Sequence, residues 1–190
     1  MVAQISTWVE RFASQIPHGK VLDLACGQGR HTRFLAASGR QVVALDKDIS
    51  AVQAIGAEQI QIIQFDLEPS EDQAAWCFPE AEFAGIVVCN YLYRPLFPYL
   101  LNSLVPGGVL IYETFAAGNA RFGRPSSPRF LLNDGELLSV CTAENGMEVV
   151  AYECGEVKLP APAMIQRIVA RRVSGLTQNA RDQKVLLSGD

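Results

Sequence analysis

The residues of this chain with the most chemistry in their spacing are three acids and a glycine turn. Asp23 stands just ahead of Ala25-Cys26-Gly27-Gln28-Gly29, Asp46 follows Gly29 by 17 residues, and Asp66 closes the next apolar run. Gly27 and Gly29 let the backbone approach a ligand with no Cβ in the way, and a helix opening after them offers free N–H groups. The same G-x-G turn opens dinucleotide sites, so by itself it is ambiguous. Two details separate the readings. A nicotinamide fingerprint continues to a third glycine, where this chain has Thr32. Asp23 beside a pyrophosphate is a like charge in a poorly screened crevice, whereas beside a cation it is favourable.

S-adenosylmethionine carries an ammonium and a sulfonium and no phosphate, so an acid ahead of the glycines suits it. In this reading Asp23 serves the methionine ammonium region and Gly27 and Gly29 the close approach. Asp46 accepts from the ribose hydroxyls and Asp66 from the adenine amino group. Ala25, Lys47 and Leu67, adjoining these positions, and Cys89 complete the cofactor-side candidates. The plainer alternative is that Asp23 caps the turn, Asp46 and Asp66 form strand-end turns, and Gly27 serves packing. Acids at three successive strand ends favour the joint, ligand-binding reading.

Those residues need elements to position them. Ile5, Trp8, Val9, Phe12 and Ile16 fall at helical spacing, closed by Pro17 and Gly19. Strands are expected over 21–24, 41–45, 60–65, 83–89 and 109–115, the fourth apolar on both faces as in the middle of a parallel sheet. Helices are expected over 31–38, with Gly39 as its C′ residue, and after Asp48, with Ile49, Val52 and Ile55 on one side. A prolyl-started helix carries Leu100, Leu101 and Leu104, and Asn133 with Glu136 gives a capping-box pattern for a helix through Cys141. Strands over 147–153 and 163–173 close the chain. The alternation predicts an α/β fold: a doubly wound, Rossmann-like, seven-stranded, mostly parallel sheet with an antiparallel C-terminal strand and helices on both faces. Residues 1–173 read as one domain and 174–190 as a polar tail.

Composition narrows the class further. The 190 residues are 49% hydrophobic and 19% charged, which excludes disorder as the default state. Sixteen Lys+Arg against twenty Asp+Glu argue against a general nucleic-acid binder. Five cysteines with no C-x-x-C pair suggest neither a disulfide framework nor a zinc knuckle, so a reducing compartment is expected and no metal. With no signal-like N-terminus and no apolar run near 18 residues, the expectation is a cytoplasmic protein that binds no membrane.

The run from Val21 through Gly29 resembles the first motif of the class I S-adenosylmethionine-dependent methyltransferases, and Asp46 and Asp66 stand where that family places its ribose and adenine contacts. The likeness extends over about residues 20–115. It departs at Ala25, where the family commonly has glycine; alanine is tolerable there if its φ is negative. A narrower likeness joins Asn90-Tyr91-Leu92-Tyr93-Arg94-Pro95-Leu96-Phe97-Pro98, Tyr112-Glu113-Thr114-Phe115 and Arg121-Phe122-Gly123-Arg124-Pro125. It is similar to the tellurite-resistance and thiopurine-type small-molecule methyltransferases. That resemblance implies methyl transfer from S-adenosylmethionine, with S-adenosylhomocysteine as product, to a small soft or anionic acceptor such as a thiol or chalcogen oxyanion.

A thiolate or oxyanion needs no general base but gains from nearby cations. Arg94, Arg121, Arg124 and Arg129 form a basic constellation, and 118–130 holds three arginines and no acid. Arg94 and Arg124 are therefore the candidates for pairing an anionic acceptor, Arg124 from a mobile flap, with Tyr91 beside them. Tyr93 and Glu113 are further candidates for the pocket wall. His31 reads as a cofactor-edge residue, and Cys26 and Cys89 as small buried thiols. Asn90 lacks the following prolines of the nucleobase amino-methyltransferases, which disfavours a DNA substrate. A nicotinamide-dependent oxidoreductase and a non-catalytic S-adenosylmethionine-binding regulatory module are the alternatives. A monomer or weak homodimer is expected.

Overall fold

The computed structural model describes residues 4–70 and 74–174. Seven strands form one sheet: β1 Lys20–Leu24, β2 Gln41–Asp46, β3 Ile60–Gln64, β4 Phe83–Cys89, β5 Leu104–Phe115, β6 Met147–Val157 and β7 Ala163–Arg172. Their order is β3-β2-β1-β4-β5-β7-β6. Strands β1 to β5 are mutually parallel, and β7 runs antiparallel to both β5 and β6. The carboxyl ends of β1 to β5 therefore share one edge, the edge where open α/β sheets place ligands.

Alternation along the strands sorts the core into two layers. Leu22, Leu24, Ile86, Val88 and Leu110 pack under Leu100, Leu101 and Leu137, which lie on α3 (Phe97–Ser103) and α4 (Glu136–Val140). Val21, Val87, Val109 and Ile111 face Trp8, Val9, Leu35 and Ala36 from α1 (Thr7–Phe12) and α2 (Arg30–Ala37). Burying both faces is what allows β4 to be apolar throughout. Ser6 caps α1 by accepting from the Trp8 and Val9 N–H groups.

Three local expectations change. The helix expected after Asp48 does not form: the Gln53 N–H reaches the Ile49 carbonyl once, and the Asp48 carboxylate caps a turn at the Ser50 N–H (2.9 Å) that does not propagate. Branched Ile49, Val52 and Ile55 with Ser50 are poor helix formers, yet they still pack over Ala44. Leu104 begins β5 rather than ending a helix, and β5 pairing jumps from Phe83↔Leu104 to Gly85↔Val109 around Pro-Gly-Gly. The capping box is half made. Glu136 accepts from the Asn133 N–H (2.8 Å), but the Asn133 side chain also turns to that carboxylate, and α4 has only five residues. Of the expected tail, 175–190 lie outside the described residues. Among the described residues no helix is long and apolar enough to cross a membrane.

Candidate functional site

The glycine turn is built by hydrogen bonds between β1 and its neighbour. The Cys26 N–H donates to the Leu45 carbonyl (3.1 Å), the Gly29 N–H to the Cys26 carbonyl (2.9 Å), and the Gly27 N–H to Asp46 Oδ2 (2.8 Å). The two glycines do different work. A Cβ on Gly27 would meet nothing within 4 Å, so this face is open to a ligand. A Cβ on Gly29 would sit 2.6 Å from Val52 Cγ1 and 2.8 Å from Ile55 Cδ1. Gly29's missing Cβ thus makes room for Val52 and Ile55, a packing requirement its spacing alone does not reveal.

Ala25 has φ +52°, so the negative φ on which tolerance of its methyl depended is not adopted. A left-handed alanine is strained by roughly 1 kcal/mol. Ala25→Gly is expected to raise the unfolding free energy by up to about that amount, less the entropy glycine adds to the unfolded chain. A denaturant midpoint unchanged or lowered would contradict this.

Asp23 is 2% exposed, and its Oδ2 accepts from Thr32 Oγ1 at 2.5 Å. Burial pushes its carboxyl up to about 6, against the opposing pull of the Thr32 hydroxyl and N–H. Thr32, in the place of a third glycine, thus holds the acid that precedes the turn. Sequence reading weighed it only as a missing glycine. Asp46 ends β2 with Oδ2 on the turn and Oδ1 accepting from the Asp48 N–H (3.0 Å). Asp66 pairs with Lys47 Nζ at 2.6 Å and accepts from the Glu68 N–H at 3.0 Å. That pair holds the Asp66 carboxyl below its ordinary value and the Lys47 ammonium above its own. Leu67 is buried in the core, so only its backbone is available to a ligand. Cys26 and Cys89 stay protonated: burial first, then nearby acids, pushes Cys26 up to about 12 and Cys89 well above its ordinary range.

His31 is corrected. It is buried, and its Nε2 accepts from the Ser6 N–H (3.2 Å), while Arg30 reaches the Gln4 carbonyl (2.9 Å). Burial, aided by Arg30, lowers it to about 4. The neutral imidazole ties the N-terminal segment to α2 rather than edging a cofactor.

Beyond β4 and β5 the expected arginine cluster divides. Arg94 is not available to an acceptor, contrary to expectation. Its Nε and Nη2 grip the two oxygens of Glu136 (2.7 and 2.8 Å), and Nη2 and Nη1 reach the carbonyls of Leu131 and Arg129 (2.8 and 3.0 Å). Burial pushes the Glu136 carboxyl up, but the Arg94 fork and the Asn133 N–H outweigh it and leave the group below its ordinary value. Arg121 pairs with Glu156 (3.1 Å) and Arg129 stacks on Phe130. Arg124 is exposed. Glu113 is held by Arg167 (3.3 Å), and the Tyr93 hydroxyl donates to the Ser70 carbonyl (2.7 Å).

The 118–130 segment is pinned, where a mobile flap was expected. The Ala117 and Leu132 N–H groups bond across its base, and buried Asn119 donates to the Pro125 carbonyl (2.9 Å) and accepts from the Met164 N–H (3.0 Å). It walls a cavity of about 250 Å³ at the carboxyl ends of β4 and β5. Tyr91, Leu92, Phe115, Pro125 and Phe130 supply its apolar lining, and Asn90, Thr114 and Glu68 the polar part. The Tyr112 hydroxyl donates to the Tyr91 carbonyl (2.8 Å) and fixes that residue's place. Burial, then the neighbouring Glu68 carboxylate, raises the Tyr91 phenol far above its ordinary value. Glu68 escaped the sequence reading; its only signal was its position two residues past Asp66.

Comparison with known proteins bears on the fold. The family model of the tellurite resistance protein TehB matches residues 2–68. No curated protein matches the sequence. TehB from Haemophilus influenzae has a similar structure: TM-score 0.69, 18% identity, covering 90% of this chain and 63% of that one. A S-adenosylmethionine-dependent methyltransferase of Methanosarcina mazei aligns at TM-score 0.64 and 12% identity over 91% of this chain and all (100%) of that one. A Burkholderia thailandensis 1,6-didemethyltoxoflavin-N1-methyltransferase, solved with 1,6-didemethyltoxoflavin and S-adenosylhomocysteine, aligns at TM-score 0.61 and 17% identity, covering 87% and 76%.

Proposed function

On the premise that this chain carries the fold of the class I S-adenosylmethionine-dependent methyltransferases and is similar to TehB over residues 2–68, we propose that it methylates a small acceptor. The observation that carries the reading is the turn itself. Gly27 presents an open backbone face beside Asp46, which accepts from its N–H, four residues after the buried carboxylate of Asp23. Two acids there favour a cationic, phosphate-free nucleoside over a diphosphate, which also sets aside the oxidoreductase.

S-adenosylmethionine fits these residues and, when bound, supplies an electrophilic methyl group. Asp23 would balance its cationic end and Gly27 would admit it. Asp46 would accept from ribose hydroxyls, and the backbone beside Asp66 and Leu67 would border the base. The acceptor enters the cavity walled by Tyr91 and Phe130, which is smaller than the ~300–1,000 Å³ of sites for drug-sized ligands. Holding the acceptor in line there supplies much of the rate. Of the soft acceptors, a thiol fits better than a chalcogen oxyanion, because Arg94 is engaged by Glu136 and Arg124 stands exposed outside the lining.

Titration calorimetry tests the reading. S-adenosylhomocysteine is expected to bind one-to-one with micromolar or tighter affinity, and NAD to give no heat. Binding of NAD with none of S-adenosylhomocysteine overturns it. Turnover of a thiol panel separates an enzyme from a regulatory module.

A further inference from the structure

Among the described residues, the acceptor cavity carries one charged lining side chain, and it is an acid. Glu68 is half-buried beside the Tyr91 phenol, with aromatic and aliphatic groups making most of the remaining wall. Its backbone is placed by the N–H bond to Asp66 Oδ1 (3.0 Å), part of the turn that follows β3, and its carboxylate neighbours the Tyr91 phenol. Among the described residues, the charged and titratable groups around it are Asp66, Lys47 and Tyr91. Lys47 is bonded to Asp66 and mostly exposed, and it is not part of the cavity wall. An anion entering here meets a like charge across a poorly screened, largely apolar space, whereas a neutral X–H group meets a hydrogen-bond acceptor.

Resting on the methyltransferase reading above, we propose that Glu68 is the proton acceptor of the reaction and selects a neutral thiol that still carries its proton. As the acceptor sulfur bonds to the methyl carbon, the donor's sulfonium C–S bond breaks and its electron pair stays on the donor sulfur. Glu68 takes the S–H proton, so the products are a neutral thioether, neutral S-adenosylhomocysteine and a protonated carboxyl that returns its proton to water. The requirement for a base follows from the substrate form: a thiol, unlike a thiolate, must lose its proton as it reacts.

The test uses two isosteric probes, 4-(mercaptomethyl)benzamide and 4-(mercaptomethyl)benzoate, binding to the full chain without cofactor. The wild type is expected to bind the neutral amide about tenfold or more tightly than the carboxylate, and Glu68→Gln to narrow that ratio to within about threefold by strengthening carboxylate binding. With S-adenosylmethionine supplied, Glu68→Gln is expected to lower amide methylation by about 100-fold near neutral pH. The deficit closes as pH rises towards the thiol's own pKa, about 8.5–9. S-adenosylhomocysteine affinity is expected to be the same in both proteins, which separates failure of this proposal from failure of the cofactor reading. The proposal is overturned if the wild type binds the carboxylate as well as the amide, if the amide does not bind, or if Glu68→Gln leaves the ratio or the pH profile unchanged.

Discussion

Asp23→Asn is expected to flatten the pH dependence of stability in the ligand-free protein and to weaken cofactor binding. In the fold this carboxyl is raised from 3.8 to about 6 by burial, so the folded state holds a proton that the unfolded chain releases. The favourable contribution is fully present below pH 3.8 and is lost as pH rises through about 6. At 1.36 kcal/mol per pH unit, that loss is about 3 kcal/mol. Asparagine keeps an acceptor for the Thr32 hydroxyl and brings no charge, so urea titrations across this range are expected to lack the component in the variant. Removing the charge also removes the partner of a cationic ligand, a contribution of about 1.5–3 kcal/mol, or roughly ten- to hundredfold in S-adenosylmethionine affinity. Parallel stability curves with unchanged affinity would show that Asp23 is a structural turn cap and no more. A buried acid that destabilises the empty fold and is relieved by a cation is what a binding site requires and a packing role does not.

Arg94→Ala is expected to lower stability by about 2–3 kcal/mol, because it breaks a four-bond clamp and leaves Glu136 short of its main partner. The pair is about one-third exposed on the arginine side, which keeps the figure below that of a fully buried ion pair. Arg94→Lys is not expected to rescue it, since an ammonium cannot match the fork on Glu136 while also reaching two carbonyls. The same change frees one side of the 118–130 wall, so the acceptor's KM is expected to rise while S-adenosylhomocysteine affinity holds. Thermal unfolding and the two affinities together check this. If Arg94→Ala leaves stability unchanged yet abolishes acceptor binding, the arginine contacts the acceptor after all.

The two arginines singled out by sequence show where local reading ends. Arg94 and Arg124 look alike in sequence, each set after a strand among aromatic and prolyl neighbours. Arg94's carboxylate partner lies 42 residues away on α4. Nothing in its own neighbourhood signals that. Glu136 was noticed for its spacing to Asn133, a local relation that survived in part, while its stronger contact was invisible. Gly29 repeats the lesson: its spacing suggested ligand approach, yet its missing Cβ makes room for Val52 and Ile55. The expected helix over those residues failed for a related reason. Apolar spacing records which side chains are buried, and a series of turns buries them as well as a helix.

By itself the sequence determined the alternation of strands and helices, the open glycine turn, and the acids at the ends of β1, β2 and just past β3. These are set by period, turn chemistry and chain position, all of which are local. Only the tertiary structure decided that Asp23 is buried and bonded to Thr32, that Arg94 is a clamp, and that Glu68 lines the cavity beyond β4 and β5. Each of those depends on where a side chain points and on which distant segment stands opposite, and that is fixed when the two faces of the sheet are covered.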